Sequence, residues 1–182
     1  MAHAVEALYA PDGNPVTSML AEQGIAALAC ALPSIVANPT GIGARTDALF
    51  GAWACGTCLG TVGMSLHHKL CHVLGGTFDL PHAETHAIIL PYAVAYNAAA
   101  APDAMARIAH ALSMNDAALG IFRLARKLGL PSGLHAIGLQ EAALDQAADL
   151  AVASPYPNPA PLDRTRIRSL LQAAWKGEAP SL

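Results

Sequence analysis

Apolar positions recur at helical spacing along nearly the whole chain, and no stretch sustains the period-two alternation of a strand. The first ten residues, MAHAVEALYA, read as the later part of an amphipathic helix. Met1, Val5 and Leu8 share one face, and His3 and Ala7 share another. No capping residue precedes them, so the pattern predicts a chain that starts inside a helix and forms the C-terminal part of a longer protein. Asn14-Pro15 is a cap followed by a first-turn proline, and it opens a predicted helix to Ala37. Asn38-Pro39-Thr40-Gly41 is a turn. A second long helix is predicted from Ala44 to Gly60, with Ala52, Ala54 and Gly56 allowing close packing. Met64 to Leu74 is a short helix that Gly75-Gly76 should stop and Pro81 should help restart. Glu84 to Ala99 is apolar on most sides, the pattern of a buried helix. Pro102 to Leu112, Asp116 to Leu128 and Gln140 to Ala153 are amphipathic. The proline-rich run 154–161 excludes regular structure, and Asp163 then caps a last helix to Trp175. The expected fold is all-α and bundle-like, one domain over residues 1–182, with no internal repeat.

Composition sharpens this picture. The chain is 54% hydrophobic and only 13% charged, about half the usual charged share of a soluble domain. So few charges hardly cover a solvated surface, which predicts a covering domain or subunit; a homodimer is expected. Net charge is −3 with no basic patch, which excludes an electrostatic footprint for nucleic acid. The longest apolar run, Gly24 to Ala37, contains Pro33 and falls short of a membrane span, so no membrane partner is expected. The start lacks the basic and apolar regions of a signal peptide. The four cysteines lie in apolar segments, the usage of a reduced, cytoplasmic protein.

Chemistry concentrates in Leu66 to Pro91. This stretch holds His67, His68, His72, His82 and His86, five of eight histidines. The pairs His68/His72 and His82/His86 have i, i+4 spacing, so on helices each pair shares a face. Imidazole is the commonest metal-binding side chain and the usual proton carrier near neutrality. One buried histidine is most often satisfied by backbone carbonyls; five in twenty residues favour a metal or proton-transfer site. His82-Ala-Glu84-Thr-His86 misplaces the glutamate for a metalloprotease. Cys55-Gly-Thr-Cys58 has no second pair for structural zinc and falls within a helix, so it reads as small packed residues. Lys69 beside the histidines offers an anion-binding charge. No dinucleotide or phosphate-loop fingerprint is present; Gly41-Ile-Gly43-Ala lacks a preceding strand.

The string from Gly63 to Ala87 resembles the maleylacetate reductases of the iron-containing alcohol dehydrogenase superfamily. His68, His72, Gly75-Gly76 and Pro81-His82 fall on the superfamily's His-x-x-x-His-x-x-Gly-Gly and following Pro-His pattern. Residues 2–7 resemble its earlier ligand-bearing helix, with His3 on the ligand position. Asn14-Pro15, Leu90-Pro91, Tyr96-Asn97 and the tail from Asn158-Pro159 to Trp175 also resemble the reductase branch. The resemblance spans essentially the whole chain. It implies the helical C-terminal domain of a two-domain enzyme whose N-terminal α/β half binds NADH or NADPH. It implies reduction of maleylacetate to 3-oxoadipate in the breakdown of aromatic and chloroaromatic compounds.

By the same resemblance, His3, His68 and His82 fall on metal positions and His72 on a proton-transfer position. His86 replaces the usual asparagine. Lys69, His82, His86 and His67 are expected to hold the dicarboxylate substrate, with His72 and His68 catalytic. The superfamily's fourth ligand, an aspartate, lies four residues before His3 and outside this chain. The reductase branch commonly has asparagine there, so Fe²⁺ or Zn²⁺ is expected to bind weakly or not at all. The rival expectations are an iron- or zinc-dependent alcohol dehydrogenase and a non-catalytic helical module that binds a metal or an anion. The residues between His68 and His72 favour the reductase over the alcohol dehydrogenase, which tends to have small residues there.

Overall fold

The computed structural model describes residues 1–180 and is helical throughout. Nine α-helices follow in order among the described residues: α1 (Ala2–Ala7), α2 (Pro15–Ala37), α3 (Ile42–Leu59), α4 (Leu66–Phe78), α5 (His82–Asn97), α6 (Pro102–Ala111), α7 (Ala117–Lys127), α8 (Leu144–Val152) and α9 (Arg164–Lys176). Three of the expected starts are true side-chain caps. Asn14, Asp116 and Asp163 accept the backbone N–H of Thr17, Leu119 and Arg166 respectively.

Three expectations need correction. Gly75-Gly76 does not stop α4, which runs on to Phe78 and ends where Asp79 adopts the left-handed conformation. The cost of two interior glycines, roughly 1 kcal/mol each, is offset because Leu74 before them and Leu80 after them are both buried in one core. The apolar stretch is not confined to Gly24 to Ala37: α2 runs through Pro33 as predicted, and by length and composition alone it is long and apolar enough to cross a membrane, against the expectation that it falls short. Here α2 packs along α3 and α1 instead. The eighth helix begins at Leu144 rather than Gln140, behind a 3₁₀ turn at Glu141–Ala143. A further 3₁₀ turn at Leu134–Ile137 was not expected.

The helices build two cores that share α5. On one side Ile89, Tyr92 and Tyr96 pack with Leu70 and Leu74 of α4, Leu144 of α8 and Leu171 of α9. On the other, Leu90 and Val94 pack with Val5 of α1, Ile25 of α2, Ile108 of α6 and Ile121 of α7. A helix buried on two sides must be apolar nearly all round, and this is why α5 shows no polar face. The α2–α3 hairpin closes tightly because Gly51 faces Leu28, where an added Cβ would lie 2.9 Å from Cγ. Its outer face is different. The eight exposed large apolar side chains among the described residues all lie on α2 and α3, including Ile42, 80% exposed, and Trp53, 60% exposed.

The irregular run 154–161 forms a strap across the start of α4 and the end of α5. Asn97, fully buried, and Asn158 exchange amide hydrogen bonds of 2.9 and 2.8 Å. Asn97 Oδ1 also accepts the Ala160 N–H. The Ser65 hydroxyl, at the cap of α4, lies 2.8 Å from the Pro157 carbonyl and 2.7 Å from Asn158 Oδ1. Replacing Asn97 by Ala leaves the buried Ala160 N–H without its acceptor, at about 1–3 kcal/mol, and takes one of two partners from each group of the Asn158 amide, which keep the Ser65 hydroxyl and the Ala160 carbonyl. The N97A chain is therefore expected to lose about 1–3 kcal/mol in urea denaturation. A loss below about 0.5 kcal/mol would show that the strap is not held this way.

A histidine cluster on an apolar cleft

The site grows from one buried carboxylate. Glu6 sits on the inner face of α1 with no solvent exposure. Its Oε1 accepts the His67 backbone N–H at 2.8 Å, and its Oε2 accepts that of Ser65 at 2.8 Å. These are orphan donors of the α4 N-terminus, where the helix dipole favours negative charge. The Ser65 side chain does not cap its own helix; Glu6 does so from a different one. The same Oε2 stands 2.6 Å from His68 Nδ1. An acceptor-only carboxylate there puts the ring proton on Nδ1.

Around this pair five more imidazoles gather, six in all with His68. The His3 ring stacks on His68 at 4.9 Å between centres. His86 lies 5.2 Å from His68, 4.9 Å from His67 and 4.2 Å from His82. His72, more outlying, is 6.3 Å from His68. His3, His82 and His86 face an open cleft of about 370 Å³ whose other walls are apolar, chiefly Leu90 of α5 and Ile121, Leu124 and Leu128 at α7. Those α7 positions carried no chemical signal in the sequence, being ordinary core spacing. Glu6 was also missed. Its one signal was that it is the sole charged residue among the first ten, set amid Ala4, Val5 and Ala7.

Burial lowers the proton affinity of these rings. His3 and His86 are each brought down to about 4, by desolvation first and then by neighbouring imidazoles. His72 is lowered for the same reasons, and His67 falls well below the ordinary value. These four rings therefore favour the uncharged form near neutrality. The buried His68 Nε2 and His86 Nε2 have no hydrogen-bond partner among the described residues.

Two expected roles change. His67 is fully buried and its Nε2 lies 3.1 Å from His86 Nδ1. It reaches a ligand only through His86, because α4 turns it into the core beside Cys71. Lys69 turns to the strap, with Nζ 5.9 Å from the centre of the Tyr156 ring, rather than into the ring cluster. Cys55 and Cys58 are buried between α3 and α2, and burial pushes the Cys58 thiol up, away from a reactive thiolate.

The donor set fits a divalent cation. Ring nitrogens of His67, His68 and His86 come within 4.8 Å of one another. His68 Nε2 is buried, unpartnered and backed by a carboxylate on its other nitrogen, the arrangement that orients a metal-bound imidazole. All the nearby ligands are nitrogen, which suits zinc or iron better than calcium or magnesium.

The profile of the Fe-containing alcohol dehydrogenase family, C-terminal, matches residues 1–175. The chain is 56% identical over 181 residues to a maleylacetate reductase of Burkholderia cepacia, covering all of this chain and 51% of that protein. The crystal structure of maleylacetate reductase from Agrobacterium tumefaciens is 54% identical, superposes with a TM-score of 0.96, and is covered over 51% of its length by 98% of this chain. An iron-containing alcohol dehydrogenase from Corynebacterium glutamicum is 42% identical with a TM-score of 0.92, 97% of this chain covering 50% of that one. The chain thus spans about half the length of the relatives it matches. It shares the fold of the matched half, and the family's C-terminal pattern covers nearly all of the chain, and on these grounds it belongs to the Fe-containing alcohol dehydrogenase family.

Proposed function

We propose that this chain is the substrate-site half of a maleylacetate reductase, which reduces maleylacetate to 3-oxoadipate with NADH or NADPH. The observation that carries the reading is a cluster of six imidazoles, three of which face one cleft, on a chain 56% identical to an enzyme of that name. The nicotinamide cofactor would be held mainly by the half that the relatives possess beyond this length. A homodimer belongs to the same reading, supported by the apolar outer face of α2 and α3.

The chemistry follows from the substrate. Hydride adds to the alkene carbon β to the keto group, and the electron pair of the double bond moves onto the keto oxygen as an enolate. A proton then adds to the carbon between them. The developing oxyanion needs hydrogen-bond donors or a cation, and the carbon needs a proton source. His68 and His82 hold the keto-acid end, and His72, exposed at the rim, relays the proton from water. Lys69, next to His68 on α4 but turned to Tyr156 of the strap, adds a positive charge that attracts the dianion from a distance without touching it. Leu90, Ile121 and Leu124 exclude water from the reacting carbons. His68 and His86, whose ring nitrogens lie within 4.8 Å of one another, would hold a divalent ion beside His3 and His82, and that ion when bound would polarise the keto oxygen.

The test joins this chain to the N-terminal half of the Burkholderia cepacia relative. The chimera is expected to oxidise NADH only when maleylacetate is present, and the unjoined chain is expected to be inactive. Turnover that instead requires added Fe²⁺ or Zn²⁺ and simple alcohols would replace the reading with an alcohol dehydrogenase. Within an active chimera, His72→Ala is expected to lower turnover by roughly 10²–10⁴, the range of general acid–base groups. Undiminished turnover in that variant would remove His72 from the proton path.

A further inference from the structure

We propose that the outer face of the α2–α3 hairpin is the seam of a symmetric dimer, in which α3 packs antiparallel on α3 of a second copy about an axis midway between Leu49 and Trp53. The pairing gives the homodimer of the preceding reading its interface and register, and it does not depend on the reaction.

The face is too large and too apolar to be ordinary wet surface. Val16, Met19 and Val36 of α2 and Ile42, Leu49, Phe50, Trp53 and Leu59 of α3 are each at least 46% exposed. Together they leave roughly 900 Å² in water, above the roughly 300–600 Å² patch of a typical monomer and close to the roughly 800 Å² that each partner buries in a standard interface. No residue from Ala48 to Gly60 carries a charge.

The pattern along α3 selects the partner. Ile42, Thr46, Leu49, Trp53, Gly56 and Gly60 are all exposed, and they recur at steps of four, three, four, three and four. This is the spacing of a seam between two packed helices. The seam is lopsided: its first part carries Ile42, Leu49 and Trp53, and its end carries only Gly56 and Gly60. Gly56 lies inside α3, where glycine is a poor helix former, and a Cβ added to it would meet no atom of this chain within 4 Å. The fold of one copy does not require a glycine there; the close approach of a second body does.

A two-fold axis between Leu49 and Trp53 matches the two ends. It sets Leu49 opposite Trp53 of the partner subunit, Thr46 opposite Gly56 of the partner subunit, and Ile42 opposite Gly60 of the partner subunit. Large side chains then meet the notch left by small ones, and the match repeats at both ends, as an isologous interface demands. The hairpin itself is antiparallel, with Thr17 at Thr61, Gly24 at Cys55 and Leu28 at Gly51. Val36 therefore flanks the start of the seam, and Val16 and Met19 flank its end. The same axis brings these flanks toward one another and widens the apolar contact.

The cofactor-binding half is the other body that would cover an apolar face. On the reductase reading it belongs over the cleft, where hydride is delivered, and none of the eight side chains lines that cleft. A stripe complementary to its own reverse serves a second copy of the same helix.

The experiment is sedimentation equilibrium of the chain across micromolar concentrations. A dimer is expected. Trp53→Ala and Gly56→Leu should each weaken it by roughly 30-fold or more, the loss of one central anchor, with the helical circular dichroism unchanged. Gly56→Leu is the sharper variant, because leucine favours the helix and meets nothing within one copy. Cross-linking reads the register, in a Cys30→Ser background that removes the exposed native thiol. Thr46→Cys chains mixed with Gly56→Cys chains should join through a disulfide. Thr46→Cys chains alone should not, since the two thiols of such a dimer lie about 15 Å apart along the helices. A monomeric chain, a dimer indifferent to Gly56→Leu, or equal cross-linking of Thr46→Cys alone overturns the proposal. A monomeric chimera whose Thr46→Cys thiol is shielded from maleimide overturns it too, in favour of the cofactor-binding half. A dimeric chimera with the expected register that ignores maleylacetate removes the reductase reading and leaves the seam standing.

Discussion

A single carboxylate without contact to water holds this molecule's working end together. Glu6 enters the start of α4 from a separate helix and receives two backbone N–H groups and one ring N–H. An uncompensated buried charge is costly, so these three donors are a requirement of folding as much as an ornament of the site. The Ser65 hydroxyl, free of the usual capping duty, is used instead to grip the strap at Pro157 and Asn158. One end of α4 is thus clamped from both sides, by α1 and by the strap. The histidines of its first turn inherit that rigidity. Folding and chemistry cannot be separated at Glu6, since the same oxygen that caps the helix orients the ring.

The second constraint is the sharing of α5. Its flanks belong to two cores, and its first turn, which carries His82 and His86, emerges where those cores meet. Rings placed at such a junction are held by packed helices rather than by loops, the condition for geometry good to a fraction of an ångström. The strap closes the other end of α5 through Asn97, so both ends of the helix are fixed by polar contacts and its middle by apolar ones.

Much of this was legible in the sequence, for identifiable reasons. Helix starts with a side-chain cap, at Asn14, Asp116 and Asp163, declare themselves locally and were read correctly. The all-round apolar character of α5 announced a buried helix. The histidine spacing announced a cluster. What could not be read depends on contacts distant in sequence. Gly75-Gly76 looks like a stop until tertiary packing of Leu74 and Leu80 carries the helix past it. Glu6 is 62 positions from His68, and no local pattern links a lone glutamate in an alanine-rich helix to a ring that far along. Adjacent His67 and His68 look equivalent on paper. One step of about 100° round a helix sends one into the core beside Cys71 and the other against Glu6 and His3.

The outer face of α2 and α3 bears on the life of the chain rather than on its chemistry. Ile42, Leu49, Phe50 and Trp53 stand in water along a hairpin whose inner face is well packed. To a cell's quality-control machinery, an apolar ridge on a finished fold reads the same as one on an unfinished one. How long such a chain persists is then governed less by the depth of its two cores than by how soon after synthesis the ridge is covered.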